Sequence, residues 1–488
     1  MLAFFFFFFF GKKVIVSVLF SFFSSWGSIG CFFVDLCCLF PGGRLYFKKF
    51  WWFMLNFIIG CCFFLDFSKW GELIIFLGLV MVFFFIKGGD FGLLEDVFFF
   101  IDSMGILLVL LSIWIVSLSV VGSIYIKNKD LNINIFLFVN LCILVFLVLS
   151  FSVKGLLFFY FRFECSLIPI FFLVLGWGYQ PERVQAGLYL LFYTLVGSFP
   201  LFFYIVSLFH RGVFFIDHFF LDFSGGLFVV FFISAGFLIK LPIYGVHLWL
   251  LKAHVESPVG GSIILAGVLL KLGGYGLIRF RVMWEHFLPG CIEVIVLFGL
   301  WGRVIMGIHC LRFIDIKLLV AGSSVVHIGI CVSCIFYISE WSFWGVLIMI
   351  VSHGLCSSGL FYLCGVIYER TGSRSIFVNK GILGVIPSYC MWWFFICRVN
   401  MAAPPSLNLL SEIVIIRSLL NWCFLLCVPF FFLSFFRAVY RIFLYSLSQH
   451  GRGMDTSMGL IRGILLEFLV IFLHWVPVNL CFFFFLYF

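Results

Sequence analysis

Residues 225–280 read GGLFVVFFISAGFLIKLPIYGVHLWLLKAHVESPVGGSIILAGVLLKLGGYGLIRF, which is two long apolar runs joined by a short polar stretch. Each run is close to the length of about 20 residues with which a helix crosses the roughly 30 Å hydrocarbon layer of a bilayer. Because lipid offers the backbone no hydrogen bonds, such spans have to be helical. The stretch therefore predicts two transmembrane helices, near 225–250 and 257–280.

The same pattern recurs along the chain and predicts up to sixteen spans, or fourteen if some short segments merge. The other candidates lie near 4–24, 52–66, 72–87, 97–122, 133–152, 155–176, 187–209, 287–309, 316–338, 342–367, 380–398, 404–424, 425–446 and 459–485. The connections between them are too short for a separate soluble domain. The predicted fold class is an all-α polytopic membrane protein.

The composition excludes most other classes of protein. Of 488 residues, 65% are hydrophobic and 10% are charged, whereas soluble proteins are about 45–50% apolar and about 25% charged. A soluble enzyme, a nucleic-acid-binding domain and a disordered chain are therefore excluded. The net charge of +9 comes from basic residues scattered between spans, as membrane topology requires, and no nucleic acid partner is expected. The 18 cysteines show no metal-ligand spacing, and we expect no metal site.

Residue usage also carries a genomic signal. Phe occurs 76 times, while Thr and Gln are rare. The abundant residues have G- and T-rich codons and the scarce ones have A- and C-rich codons. This bias indicates strong mutational pressure on the coding strand, and we expect the chain to be encoded in an organelle genome.

Six titratable side chains stand well inside apolar runs. A charge near the middle of a span costs about 2.5–3.5 kcal/mol on insertion scales, so each is a functional hypothesis by default. Groups of both signs on six different spans suit a buried polar axis through a helix bundle. The candidates are Glu164, Lys240, Lys271, His327, His353 and Glu412.

Helix-breaking residues lie beside several of these charges. Pro242 follows Lys240 by two residues, and it removes a backbone donor and opens the helix. Gly273-Gly274 follows Lys271, and Pro404-Pro405 precedes Glu412. Broken helices at membrane depth are typical of ion paths in transporters.

More ordinary interpretations stand beside the functional ones. His327 and His353 could be hydrogen-bonded packing residues. Glu164 could simply neutralise Arg162 or Arg183. A lysine at the end of a span would extend its ammonium to the headgroups, but about ten apolar residues precede Lys271.

Other polar residues stand at span edges. His254 and Glu256 lie at a helix junction before a proline, where structural, gating and proton-path roles all remain open. The remaining edge residues are most simply topology or capping residues: Asp102, Asp315, Lys317, Glu369 and Arg370.

Residues 240–279 closely resemble the signature stretch of the chain 4 family of mitochondrial NADH:ubiquinone oxidoreductase, respiratory complex I. The segments 175–198 (LGWGYQPERVQAGLYLLFYTLVGS), 311–329 (LRFIDIKLLVAGSSVVHIG), 352–376 (SHGLCSSGLFYLCGVIYERTGSRSI) and 400–412 (NMAAPPSLNLLSE) are similar to the same family. The resemblance runs in order from about residue 155 to 425. The chain departs from the family pattern at Arg162 and Leu251, where an apolar residue and a proline are expected.

The resemblance implies about 14 transmembrane helices with two inverted five-helix repeats and two discontinuous helices. Pro242 and Pro404-Pro405 fit the two breaks. The implied division is an irregular N-terminal transmembrane region at 1–100, an antiporter-like proton-translocating core at 101–425, and C-terminal transmembrane helices at 426–488.

The resemblance also implies roles in proton translocation. Glu164 matches the glutamate that partners the lysine of the first broken helix, here Lys240. Lys271 matches a bridging lysine on the next helix. The relay histidines and the acidic residue of the second broken helix are matched by His327, His353 and Glu412.

By the same resemblance, the chain is a multi-pass subunit of the inner mitochondrial membrane and contains no cofactor. NADH, FMN, iron–sulfur clusters and ubiquinone belong to other subunits. The implied partners are other membrane-arm subunits, with chains 2 and 5 as neighbours, accessory subunits, and lipids such as cardiolipin.

Two rival functions remain open from sequence. A stand-alone cation/proton exchanger shares the lysine–glutamate axis, but it is not expected to carry the segments 175–198 and 240–279. A purely structural arm subunit would predict loss of Glu164, Lys240 or Glu412, and all three are present.

Overall fold

The structure is a computed structural model that describes residues 94–95, 100–129, 131–215, 227–281, 289–337, 339–451 and 463–487. The predicted spans near 4–24, 52–66 and 72–87 lie outside the described residues. Two short strands, β1 (Leu94–Glu95) and β2 (Phe100–Ile101), pair antiparallel. All the other regular elements of the described residues are helical.

In chain order the helices are α1 (Ser103–Gly122), α2 (Ile124–Asn128), α3 (Ile133–Ser152), α4 (Leu156–Cys165), α5 (Leu167–Trp177), α6 (Arg183–His210), α7 (Leu227–Lys240), α8 (Leu248–Glu256), α9 (Val259–Ile264), α10 (Leu270–Arg279), α11 (Pro289–Cys310), α12 (Ile316–Phe336), α13 (Glu340–Thr371), α14 (Ile382–Val385), α15 (Pro387–Asn400), α16 (Leu407–Trp422), α17 (Cys427–Gln449) and α18 (Leu465–Tyr487). A π-helical segment, Leu265–Leu269, joins α9 to α10, and a 3₁₀ turn, Phe424–Leu426, precedes α17.

Ten continuous helical segments of the described chain are long and apolar enough to cross a membrane. Two further crossings are interrupted, α7 with α8 and α15 with α16. The polytopic all-helical fold predicted from the apolar runs is confirmed.

The first interruption falls where Pro242 predicts it. Helix α7 ends at Lys240, and α8 begins at Leu248. Gly245 in the gap has φ +102°, a conformation that side chains with a Cβ rarely adopt. Across the gap, the Trp249 indole donates to the carbonyl of Ile239 at 3.0 Å. The break therefore leaves Lys240 at the end of a helix inside the bundle.

The second interruption merges two spans that the sequence separates. Asn400 at the end of α15 and Glu412 in α16 both lie beside His327, at the middle of α12. Tyr389 at the start of α15 lies near the end of α13, whereas Trp422 at the end of α16 stacks at the opposite end, where α12 stops. The predicted spans 380–398 and 404–424 are therefore two halves of one crossing.

Burial separates central helices from peripheral ones. The continuous segment Val259–Arg279 is fully buried over its most apolar window, and α12 and α13 are buried over 94% of theirs. In α6 only 33% of the window is buried, and four of its five phenylalanines are exposed. A helix that is buried all round lies at the core of a bundle. The three central segments carry Lys271, His327 and His353.

Candidate proton-transfer site

Lys240 and Glu164 form a buried ion pair. The Lys240 ammonium lies 3.2 Å from a Glu164 carboxylate oxygen, and the two side chains are 4% and 12% exposed. The ammonium also donates to the carbonyl of Phe163 at 2.8 Å. Arg183 instead donates to the carbonyl of Gly178. Lys240 is thus a counter-ion of Glu164, as the resemblance implies.

Lys271 meets His353 one helix further along the bundle. The Lys271 ammonium lies 3.3 Å from His353 Nδ1 and also donates to the carbonyl of Ala266. Ala266 belongs to the π-helical segment, whose wider turn shifts the backbone hydrogen-bond register beside Lys271. His327 and His353 lie side by side, with ring centroids 5.3 Å apart. These three groups form one continuous contact chain.

A small cavity connects this chain with the first broken helix. It is lined by residues that include Leu241, Lys271, His327 and His353. The cavity volume is about 10 Å³, which is close to the volume that one water molecule requires. Leu241 directly follows Lys240, so the cavity reaches from Lys271 to the residue next to the first lysine.

Glu412 ends the contact chain on the far side. Its carboxylate lies 3.7 Å from His327 Nδ1 and forms an ion pair with Arg437 of α17. Both side chains are largely buried, at 7% and 12% exposed. The structure thus joins Lys271, His353, His327 and Glu412 in one contact chain and pairs Glu164 with Lys240. It also adds Arg437 as a counter-ion.

Sequence reasoning missed three further polar groups around His327. Asn400, with its amide oriented to satisfy both neighbours, donates to His327 Nε2 at 2.8 Å and accepts from Arg441. Arg441 also donates to Ser323 Oγ, and Arg303 donates to the carbonyl of Val326. The available signal was a charge inside an apolar run, as in FFRAVYRIF at 435–443.

A second group of polar residues lies where α13 ends and is here called the end cluster. Its members are Tyr179, Gln180, Glu256, Lys317, Glu369 and Arg374. The Arg374 guanidinium bonds Glu256 at 2.9 Å and Gln180 at 2.6 Å. Tyr179 donates to Glu369 at 3.3 Å. Burial and the neighbouring Glu369 carboxylate raise the pKa of Tyr179, so that its hydroxyl stays a donor. Lys317 completes the end cluster. It is buried (1% exposed) and lies near the carbonyls of Val255 and Ser257.

One edge residue, Asp102, behaves as the sequence predicts. Asp102 caps α1 by accepting from the backbone N–H of Gly105 at 2.9 Å, and it also pairs with Arg279 at 2.8 Å. Lys317 differs, because it is not an exposed topology residue.

The arrangement can store and pass protons. Carboxylate, ammonium and imidazole groups lie beside one another in the interior, at 3.2 Å for Glu164–Lys240, 3.3 Å for Lys271–His353 and 3.7 Å for His327–Glu412. Among the residues that the structure describes, no group of three or more His, Cys, Asp or Glu side chains is placed to hold a metal ion.

Comparisons with known proteins point to one family. Residues 48–150 match the family profile described as "NADH-ubiquinone oxidoreductase chain 4, amino terminus", and residues 153–437 match "NADH:quinone oxidoreductase/Mrp antiporter, TM". The second match contains all six predicted site residues, and the first extends further toward the N-terminus than the resemblance seen in the sequence motifs.

Two insect relatives cover most of both chains. The chain is 47% identical over 376 residues to NADH-ubiquinone oxidoreductase chain 4 of Ceratitis capitata, covering 76% of this chain and 84% of that one. It is 43% identical over 392 residues to the protein of the same name from Locusta migratoria, covering 78% and 86%.

A solved structure shares the fold at lower identity. A chain of "Respiratory complex I from Thermus thermophilus with bound NADH" superposes with a TM-score of 0.75 at 20% identity, covering 83% of this chain and 89% of that chain. Sequence matches over most of the chain and a shared fold lead to one conclusion: the chain belongs to the NADH-ubiquinone oxidoreductase chain 4 family.

Proposed function

We propose that this chain is a membrane-arm subunit of respiratory complex I that translocates protons across the inner mitochondrial membrane. The family membership and the buried charged chain support this proposal. NADH oxidation and ubiquinone reduction take place in other subunits, which hold NADH, FMN and iron–sulfur clusters. The free energy released by these reactions acts on this chain through a conformational or an electrostatic change.

The proposed path begins at the Glu164–Lys240 pair. While the pair is closed, the carboxylate stabilises the buried ammonium. When Glu164 moves away, or a neighbouring subunit brings positive charge, the unpaired ammonium is costly in the interior and releases its proton. A water in the cavity carries that proton to Lys271.

From Lys271 the proton passes to His353 Nδ1 across a 3.3 Å contact. The imidazole can accept a proton at one ring nitrogen and give one from the other, which suits a relay. His327 then carries the proton toward Glu412, 3.7 Å away. Arg437 competes with this proton for the carboxylate, so opening of the Glu412–Arg437 pair prepares the acceptor.

The remaining assignments follow from the proposed function. Chains 2 and 5 of the complex are the proposed neighbours, together with accessory subunits and lipids such as cardiolipin, and the chain is organelle-encoded. Of the proposed regions, 101–425 contains all six site residues, 426–488 contributes Arg437, and 1–100 completes the transmembrane region.

The observation that carries the proposal is the buried contact of Lys271 with His353, beside a cavity that reaches the first broken helix. The test is Lys271→Met in the assembled complex, with quinone-coupled proton uptake measured in sealed vesicles. Pumping per assembled complex should fall by about tenfold or more, because proton relay by a positioned side chain contributes about 10²–10⁴-fold. The matched control is Lys252→Met, a lysine that is exposed on α8.

Pumping at the unaltered rate in the Lys271→Met complex would contradict the proposed path. Proton movement that follows an imposed sodium gradient without quinone reduction would instead identify a cation/proton exchanger.

A further inference from the structure

His254 is a buried histidine that the path above does not use. It lies in the last turn of α8, is 0% exposed, and stacks on Phe361 with ring centroids 4.2 Å apart and planes 8° apart. Neither ring nitrogen has a hydrogen-bond partner among the described residues. Because buried polar atoms are nearly always hydrogen-bonded, both ring nitrogens are available to accept from or donate to water.

The stacking places His254 midway along α13. Phe361 is eight residues from His353 in one direction and eight from Glu369 in the other. At a rise of 1.5 Å per residue, each separation is about 12 Å along the helix axis. His254 therefore lies half-way between the Lys271–His353 contact and the end cluster.

Hydroxyl groups lie on the intervening helix faces. Ser357 stands four residues from His353 and four from Phe361, so all three share one face of α13. On α12, Ser324 stands seven residues after Lys317 and three before His327. Each hydroxyl donates to a carbonyl of its own helix, at 2.7 Å for Ser357. Their oxygen lone pairs remain available to water.

The end cluster lies closer to the protein surface than His254 does. Glu369 is only partly buried and is held by Tyr179. Lys317 lies 3.4 and 3.3 Å from the carbonyls on either side of the Glu256 peptide, directly after His254 in the chain. Lys317 is thus held against the helix end that carries His254.

We propose that His254 is a proton-relay residue that joins the end cluster to Lys271 and His353. This rests on the proposed function. The protonated Glu369 carboxyl gives its proton through water to one ring nitrogen and becomes a carboxylate, and the other nitrogen releases its proton through water to Lys271 or His353. The imidazole ends neutral in the other tautomer, so one proton enters and one leaves.

The test uses the assembled complex with His254→Phe, which keeps an aromatic ring on Phe361 but cannot bind a proton. The expected result is normal assembly on native gels, with quinone-coupled pumping per complex reduced by about tenfold or more. His474→Phe is the matched control, since His474 is as buried (1% exposed) and bonds only its own helix in the described structure.

His254→Gln provides the second variant, because it is smaller, polar and does not titrate. Combining His254→Phe with Glu369→Gln should reduce pumping by less than the product of the single effects, as expected for one path. Normal pumping in His254→Phe overturns the proposal, and so does failure of both variants to assemble, which shows a packing role. If Lys271→Met also pumps normally, the proposed function fails with it; if only His254→Phe does, the proposed function stands.

Discussion

Replacing Lys240 with Met removes the positive charge but keeps most of the side-chain volume, so the effect reports on the ion pair more than on a cavity. At the observed 3.2 Å, two unit charges attract by about 5 kcal/mol at an effective dielectric constant of about 20. Removing one member of a buried pair costs about 3–5 kcal/mol, because the other charge is left unpaired. Even about 3 kcal/mol is a factor of roughly 150 in an equilibrium constant.

Lys240→Met should therefore lower the amount of assembled complex and its dissociation temperature. The double variant Lys240→Met with Glu164→Leu should recover assembly, because a buried ion pair can be replaced by apolar residues of similar volume at little cost. It should still not pump protons. Blue-native gels and thermal dissociation of the detergent-solubilised complex measure the first effect, and vesicle assays measure the second.

The unaltered complex, the single variants Lys240→Met and Glu164→Leu, and the double variant form a double-mutant cycle. Its coupling energy isolates the contribution of the ion pair. If the double variant assembles no better than Lys240→Met, the Glu164 carboxylate is not what destabilises the single variant, and the reasoning from the pair is refuted.

Replacing His327 or His353 with Gln should slow pumping per assembled complex, and the double variant should be less than additive because both lie on one path; lower assembly with unchanged turnover would show that they are packing residues. Glu412→Gln should destabilise the complex by about 3–5 kcal/mol, because it leaves a buried arginine of α17 without its counter-ion, and unchanged thermal dissociation would disprove that pairing. Gly276→Ala should reduce assembly by about 1–3 kcal/mol, since its new methyl group would overlap the ring of Phe237. The control Gly384→Ala meets open space, and equal losses in both variants would count against the close packing of α7 and α10.

The positions of the spans could be predicted from sequence alone, because apolar runs of bilayer length have one stable backbone solution. The run near 133–152 and helix α3 coincide residue for residue. Pro242 likewise locates the first interruption, since a missing backbone donor is a local property. The six intramembrane charges were also visible, because each is costly wherever it lies and stands out against its neighbours.

Which of these groups meet was decided by the tertiary structure. In helices that are apolar on all sides, residue type does not mark the inward face, so neither Arg437 beside Glu412 nor Asn400 beside His327 could be paired from sequence. Lys317 looked like a topology residue, yet neighbouring backbone carbonyls hold it in the interior. In the hydropathy pattern, α15 and α16 looked like separate spans. Their contacts at both ends and at His327 show that they cross the membrane together. Such contacts join residues that are tens to hundreds of positions apart, and local hydropathy carries no information about them.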